Sequence, residues 1–408
     1  MNIFFAILFF LLGSAAYYFF YKKTADVLNP FAIAIAAWLY VSALAVLNLS
    51  KLQTPWSVEM YIAVMLFPTM VFFVGAYRVR ISKLDFKKKR FVFYPMYLLF
   101  SRLIFLLCII CSVVEWAAQD FILPVFADAT DKKHLIASVP GFHYGSIFLP
   151  YCAIASVFEL LYRDKLSKAT IATLCGVILW TLFHTVMIKI SRGTLLIMGV
   201  GLLPIILRVF KLSLKWFLIL LAVNVVGFVV LGVVRIRSVS MVYGVVDGHP
   251  LLSSVYSYSA LCIENLNKLV TKGPAWTIFS QTFWGLLELL GLSKFFTHVP
   301  GEVTMFFNAS TVCTVFYQDL GLLGIAAYTA GTFYIVRLAY LKSFYSPGYI
   351  LLFSALQKPI WMCFYGNYFS TGGTDMLLFL MVFVFALIWQ HGNKIPLGKK
   401  LTAFAEKL

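Results

Sequence analysis

Runs of about twenty consecutive apolar residues recur along this 408-residue chain. As a helix, a run of that length crosses the hydrocarbon core of a bilayer. Backbone groups in lipid must pair within the chain, and the sequence lacks the alternating strands of a membrane barrel. The hydrophobic content of 62% also exceeds the roughly one half that is typical of soluble domains. The sequence therefore predicts an all-α polytopic membrane protein, with a single integral membrane domain over 1–408.

Hydropathy predicts about eleven transmembrane helices, within a range of about ten to thirteen. Their positions are 3–21, 30–48, 58–77, 94–114, 142–161, 169–188, 194–210, 214–234, 312–336, 348–365 and 374–390. Lysine and arginine concentrate in alternate connections, which the positive-inside rule places in the cytoplasm. These inside segments are 22–29, 78–93, 162–168, 211–213, 337–347 and the tail from His391. The same clustering explains the net charge of +17 without nucleic acid as a partner.

One outer loop, 235–311 between spans eight and nine, is far longer than a connection requires. Functional residues concentrate in loops of this kind. Within it, the apolar periodicity of 256–270 predicts a helix that lies on the bundle or at the interface. The segment 276–296 is predicted to be an interfacial helix or a re-entrant segment.

Two pairs of cations lie on the predicted outer side. Lys189 and Arg192 are three residues apart between spans six and seven, and Arg235 and Arg237 end span eight. A charge beside hydrocarbon is costly, and the planar fork of arginine suits phosphate oxygens. The sequence predicts a hairpin whose tight turn at Gly193 holds Arg192 at headgroup level against a lipid-linked pyrophosphate. Arg235 and Arg237 would bind the same anion, with Lys189 as support or as an interfacial anchor.

Several residues are candidates for acid–base chemistry. Asp319 lies within an apolar run, where a carboxylate is costly and is therefore functional or paired with an arginine. His249, His298 or Glu302 could accept a proton from a sugar hydroxyl. Gly321 and Gly324 permit close helix packing.

Other polar residues are expected in supporting positions. His249, Asn308 and Tyr256 are predicted to contact the sugars (the glycan) of such a lipid-linked substrate. His184 is expected to be a hydrogen-bonded core residue, and His134 and His143 to lie in loops. There is no GxxxxGK[ST], GxGxxG or HExxH motif and no cluster of metal ligands, so the sequence predicts no cofactor and no metal. The CxxC of Cys108 and Cys111 is interpreted as small core residues.

The order of four segments resembles that of the O-antigen polymerase (Wzy) family of oligosaccharide repeat-unit polymerases. They are "SRGTLL" at 191–196, "RIRS" at 235–238, a tyrosine-rich helix at 256–269 and "FYQDLGLLG" at 316–324. The last is similar to the family's aromatic–x–Asp–aromatic/Leu–Gly–x–x–Gly segment. The resemblance in pattern covers about 189–324, and elsewhere it extends only to the hydropathy profile.

The resemblance implies an inverting, metal-independent glycosyltransferase of the C type (GT-C) in the bacterial inner membrane, with its active site facing the periplasm. Its substrates would be undecaprenyl-diphosphate-linked oligosaccharides, and a polysaccharide copolymerase that regulates chain length would be a partner. Arg192, Arg235 and Arg237 would stabilise the leaving pyrophosphate. A base near Glu302, His298 or Asp319 would assist the attacking hydroxyl.

There are three alternatives to this interpretation. The related O-antigen ligases carry a His–Asn pair before a similar Gly–x–x–Gly segment. Here "FNASTV" holds Asn308 but no adjacent histidine, which disfavours a ligase. A flippase or exporter of lipid-linked oligosaccharide would also need cations, but along a translocation path rather than biased to one side. A membrane acyltransferase has only His184 as a buried candidate.

Overall fold

The computed structural model describes residues 2–77, 91–126, 139–210, 250–299, 309–344 and 346–369, with isolated positions at 215, 219, 222, 223, 226, 381, 382, 384, 387 and 388. These residues are mainly helical. In chain order the α-helices are α1 Asn2–Thr24, α2 Pro30–Val46, α3 Val58–Ala76, α4 Pro95–Ala117, α5 Phe142–Tyr162, α6 Lys168–Phe183, α7 Arg192–Phe210, α8 Pro250–Lys272, α9 Trp284–Leu289, α10 Val312–Lys342, α11 Pro347–Ala355 and α12 Gln357–Trp361. A π-helical turn, His184–Ile188, follows α6, and a short 3₁₀ turn, Ser293–Phe295, follows α9.

Side-chain caps explain where several helices begin. The Asn29 side chain accepts hydrogen bonds from the first turn of α2, which has a proline at its start. Ser57 caps α3 through the backbone N–H of Met60, and Ser167 caps α6 through that of Thr170. Each cap satisfies a backbone donor that would otherwise lack a partner at the helix end.

Seven described helices are long and apolar enough to cross a membrane. The qualifying segments are Asn2–Thr24, Val58–Ala76, Pro95–Ala117, Phe142–Tyr162, Lys168–Ile188, Gly193–Phe210 and Val312–Lys342. All seven correspond to predicted spans, and a shorter apolar helix, Pro30–Val46, corresponds to another. The prediction of a helical polytopic membrane protein is confirmed to this extent. The predicted spans 214–234 and 374–390 lie largely outside the described residues.

The structure divides the predicted span 348–365 into two short helices. Nine-residue α11 ends at Ala355, and five-residue α12 begins at Gln357. Pro359 has no N–H with which to bind the carbonyl of Ala355, so a continuous helix loses a hydrogen bond at this point. Neither piece reaches the length of about twenty residues that a straight crossing needs.

The chain divides into two compact units. The first contains the described residues of Met1–Ile81, Val239–Leu341 and Leu356–Phe379. In this unit α1 packs along α2, where the rings of Phe10 and Tyr40 stack with centroids 5.0 Å apart. Helix α2 also packs on α3 and α8.

The second unit contains the described residues of Ser82–Ser238, Lys342–Ala355 and Leu380–Leu408. Its helices α4 and α5 are antiparallel neighbours, with α6 and α7 packed on α5. At one end the buried carboxylate of Glu159 binds Arg102 and Arg163, each with a nitrogen–oxygen distance of 2.7 Å. This ion pair explains how Arg102 is accommodated within a predicted span.

Helix α8 confirms the predicted helix at 256–270 and extends it at both ends. It is buried more deeply than a helix lying at an interface, because nearly every residue from Ser259 to Val270 is buried. The segment 276–296 consists of turns, the short α9 and the 3₁₀ turn. It therefore contains no continuous interfacial helix.

Helix α10 is broken where the "FYQDLGLLG" segment passes through it. Leu320 has φ −143° and ψ 21°, and Gly321 has φ +62° and ψ −143°. Backbone of the latter kind is essentially restricted to glycine. An added methyl at Gly324 would collide with the carbonyl of Phe316, so both glycines have a steric function.

We expect Gly321→Ala to lower the free energy of unfolding by about 1–3 kcal/mol, because alanine is strained at this positive φ. Gly331→Ala in the same helix is the matched control, since its added methyl meets no atom within 4 Å. That substitution should be neutral or stabilising by about 0.5–1 kcal/mol. Thermal unfolding of detergent-solubilised protein measures both, and equal melting temperatures would contradict the broken helix.

Candidate functional site

The connection between α6 and α7 is a turn at Lys189–Ser191. The backbone N–H of Lys189 donates to His184 O (2.9 Å), and that of Ser191 donates to Thr185 O (3.0 Å). Between them Ile190 has a φ of +45°. The structure therefore confirms a turn between the predicted spans six and seven.

The predicted position of the tight turn, at Gly193, is wrong. Helix α7 begins at Arg192, so Gly193 lies in its first turn. The cause is Ser191, whose hydroxyl accepts the backbone N–H of Thr194 at 3.2 Å and caps the helix. The break therefore comes before Arg192, for which the structure describes the backbone.

Lys189 forms an ion pair with a buried carboxylate. Its Nζ lies 3.1 Å from Glu115 Oε2, and the two side chains are 11% and 0% exposed. The same carboxylate accepts hydrogen bonds from His143 Nδ1 (2.9 Å), from the Ser146 hydroxyl and from the backbone N–H of Val139 (3.2 Å). Lys189 thus neutralises a buried charge, which favours the supporting role over direct binding of pyrophosphate.

The sequence analysis missed Glu115 because the predicted fourth span ended at 114. Helix α4 continues to Ala117, so Glu115 lies in its last turn. A carboxylate within an apolar helix was the signal that singled out Asp319, and it applied equally here. His143 was expected in a loop, but it lies in the first turn of α5.

His184 is buried, as predicted for a core residue, with 3% of its surface exposed. Its Nε2 has no hydrogen-bond partner among the described residues, and neither does the hydroxyl of the neighbouring Thr185. The prediction is therefore confirmed for burial but not for hydrogen bonding by this nitrogen. Both residues lie in the π-helical turn, a backbone form frequent at functional sites.

Asp319 holds a loop against the break in α10. Its Oδ1 accepts the hydroxyl of Thr277 (2.7 Å) and the backbone N–H of Gln281 (3.1 Å), and its Oδ2 accepts the backbone N–H of Thr282 (2.8 Å). The residue is fully buried. Among the described residues its charge is balanced by backbone and hydroxyl donors, and Arg235 and Arg237, two of its predicted partners, lie outside them. This arrangement favours a structural role over that of a base.

Gln281 connects Asp319 with the segment that contains His298. Its side chain donates to Thr297 O (2.9 Å) and accepts the N–H of Val299 (3.2 Å). His298 itself is exposed, and its ring contacts that of Trp284 at a centroid distance of 4.6 Å. Gln281 therefore fixes the backbone on both sides of His298 relative to the loop that Asp319 holds, while the exposed His298 ring contacts Trp284.

Tyr256 is buried, and its hydroxyl is enclosed by polar groups of the α2–α3 connection. The hydroxyl oxygen lies 2.6 Å from Gln53 Oε1 and 3.2 Å from Leu44 O, and it accepts the N–H of Leu49 at 3.0 Å. Burial raises the pKa of Tyr256 to about 12. These contacts tie α8 to the connection, so they favour a structural role over the predicted glycan contact.

A second carboxylate that the sequence analysis missed, Glu264, lies about two turns further along that buried face. Glu264 Oε1 accepts both the hydroxyl (2.8 Å) and the backbone N–H (3.2 Å) of Thr54, and Oε2 accepts Asn267 Nδ2 (3.3 Å). Burial raises the pKa of the Glu264 carboxyl above its usual value, and these hydrogen bonds oppose the effect only in part. In the sequence, the only indication of a role for Glu264 was the alternation of polar and apolar residues within the predicted helix.

Five predicted site residues lie outside the described part of the chain: Arg235, Arg237, His249, Glu302 and Asn308. Within the described ranges, no group of three or more His, Cys, Asp and Glu side chains could hold a metal ion. Cys108 and Cys111 are both buried, as predicted for core residues.

We expect Asp319→Asn to destabilise the protein by about 1–3 kcal/mol, since whichever oxygen becomes the amide nitrogen then faces a backbone N–H. Thermal unfolding measures the loss. Asp120→Asn is the matched control, because Asp120 is exposed and its φ of +52° suits asparagine. An unchanged melting temperature for Asp319→Asn, with loss of activity, would instead indicate a catalytic carboxylate.

The raised pKa of Glu264 predicts a pH dependence. Stability from a group with a raised folded-state pKa is complete below the unfolded value, near 4.5, and is lost as the pH rises through the folded value. We therefore expect Glu264→Gln to melt progressively higher than the unmodified protein as the pH rises above 4.5. The exposed Glu288→Gln should follow the unmodified protein throughout. Parallel curves for Glu264→Gln and the unmodified protein would contradict the assignment.

Comparisons with known proteins found no match to this chain among protein-family models, curated proteins or solved structures. The family resemblance therefore rests on the four short segments, and the description of the site rests on the geometry of each unit.

Proposed function

We propose that this protein is a membrane glycosyltransferase that polymerises undecaprenyl-diphosphate-linked oligosaccharide repeat units into a surface polysaccharide, such as O-antigen or capsule. It would act at the periplasmic face of the bacterial inner membrane, as part of lipopolysaccharide or polysaccharide biosynthesis. The growing chain leaves its lipid diphosphate and joins a hydroxyl of an incoming lipid-linked unit, with inversion at the anomeric carbon.

The observation that carries the proposal is the turn at Lys189–Ser191 between two apolar helices. The turn ends α6 and starts α7 at Arg192, so a second cation begins a helix three residues after the Lys189–Glu115 pair. Because Lys189 already has a carboxylate partner, Arg192 is the better candidate for an external anion. A pyrophosphate in the headgroup layer offers the oxygens that an arginine fork binds in pairs.

The chemistry requires little beyond cations and a base. The lipid diphosphate is an activated leaving group, and negative charge grows on its bridging oxygen as the glycosidic bond breaks. Arg192, Arg235 and Arg237 would stabilise that charge, as the family resemblance implies. The acceptor hydroxyl must lose its proton during attack, so the site also needs a base close to these cations.

The structure around the "FYQDLGLLG" segment supports a specific role for these residues. Asp319 and Gly321 together define a broken helix with a loop bound to it. Such a segment is more constrained than a simple membrane anchor, since the aspartate and both glycines have steric or hydrogen-bonding functions. A polysaccharide copolymerase that sets chain length is the expected protein partner.

We expect Arg192→Ala, and separately Arg235→Ala, to abolish chain polymerisation while the protein remains in the membrane. Arg192→Lys should restore about a tenth of the polymer or less, because a point charge lacks the bidentate fork. Lys168→Ala is the matched control, an exposed cation at the opposite end of α6. Gel electrophoresis of surface polysaccharide and immunoblotting of membranes provide the measurements.

The same gel separates the alternatives in a deletion strain. A single repeat unit attached to the surface lipid indicates a polymerase, whereas the absence of any attached glycan indicates a ligase or a flippase. Full-length polysaccharide from the Arg192→Ala strain would overturn the role of that residue.

A further inference from the structure

Glu115, His143 and Lys189 form a polar cluster, together with Ser146, in the second unit. Glu115 ends α4, His143 and Ser146 begin α5, and Lys189 follows α6, so three successive apolar helices meet at this carboxylate. The cluster lies at the same end of the unit as the start of α7 at Arg192. It contains a carboxylate–imidazole pair, an arrangement that orients a histidine for proton transfer.

The hydrogen bond to Glu115 determines which nitrogen of His143 is free. The carboxylate accepts from Nδ1 at 2.9 Å, so in the neutral ring the proton is on Nδ1 and Nε2 carries a lone pair. Nε2 has no hydrogen bond within the part of the chain that the structure describes. The His143 side chain is 35% exposed while Glu115 is fully buried, so an external hydroxyl can reach the ring but not the carboxylate.

The carboxylate itself is rigidly held. Ser146 and the backbone N–H of Val139 donate to it, and the Lys189 ammonium lies 3.1 Å away. A buried carboxylate with one cation and several donors keeps its charge and its position. It therefore fixes the orientation of the His143 ring.

Two buried polar groups lie close to the cluster. His184 Nε2 and the Thr185 hydroxyl are buried without a partner among the described residues, and such groups each cost about 1–3 kcal/mol. Their backbone carbonyls bind the turn that contains Lys189, and His184 lies within electrostatic range of Glu115, Lys189 and His143. These groups add to the polar character of the region around Glu115.

We propose that His143 is the base of the glycosyl transfer, with Glu115 as its positioning residue; this inference rests on the proposed function. His143 Nε2 takes the proton of the acceptor hydroxyl as that oxygen forms its bond to the anomeric carbon of the donor. The bond from that carbon to the diphosphate oxygen breaks, and the lipid diphosphate leaves with the electron pair. The proton then passes from the imidazolium to solvent.

The experiment uses membrane vesicles from the native host carrying the full chain and the cell's own lipid-linked repeat units. His143→Ala should reduce polymer formation by about a hundredfold or more, the usual contribution of a general base. Added imidazole should restore part of this activity, because the ring is accessible from solvent. Glu115→Gln should reduce the rate in the same direction but should not respond to imidazole, since its histidine is still present.

Tyr144→Ala, which truncates an exposed aromatic residue in the same turn of α5, is the matched control and should leave polymer formation unchanged. Imidazole rescue distinguishes a chemical role from misfolding, because a damaged fold does not recover with a small base. Normal polymer from His143→Ala, or a loss that imidazole does not restore, would overturn the inference. If Arg192→Ala still abolishes polymer in that case, the proposed function stands; if neither substitution has an effect, both proposals fail.

Discussion

The second unit depends on the buried carboxylate of Glu115. Its partners come from α5, from the residue Val139 just before α5 and from the α6–α7 turn, and removing the ammonium of Lys189 would leave an uncompensated charge in an apolar bundle. Directional hydrogen bonds also fix register, which apolar side chains in a lipid environment specify weakly. The α6–α7 turn therefore takes its position from Glu115.

The same solution recurs elsewhere in the chain. Glu159 binds two arginines at the other end of α4 and α5, Asp319 binds a loop through three donors, and Glu264 binds the α2–α3 connection through Thr54. Each carboxylate links segments that are distant in sequence. Most of the buried acids that the structure describes thus act as connectors, and a buried acid alone is a weak indicator of catalysis here. Glu115 differs because its network includes a partly exposed histidine.

The helices were largely predictable because their signal is local: length, apolar composition and caps such as Ser57 and Ser167 are read within a few residues. The polar partners were not predictable, since two complete predicted spans separate Glu115 from Lys189 and nothing in the sequence near either residue identifies the other. The shift of the turn from Gly193 to Ser191 shows a further limit. Glycine suggested a turn, but a serine cap two residues earlier determined where α7 begins.

The break in α10 limits how far the adjoining segment, 275–278, can move. The carbonyl of Gln318 accepts the N–H groups of Ala275 and Trp276, and that of Asp319 accepts the N–H of Ile278. Moving the segment 275–278 away from α10 would leave these main-chain donors and acceptors without partners. Each such group costs several kcal/mol wherever water is excluded. The hydrogen bonds therefore hold 275–278 in place against α10, and this segment does not open and close like a gate.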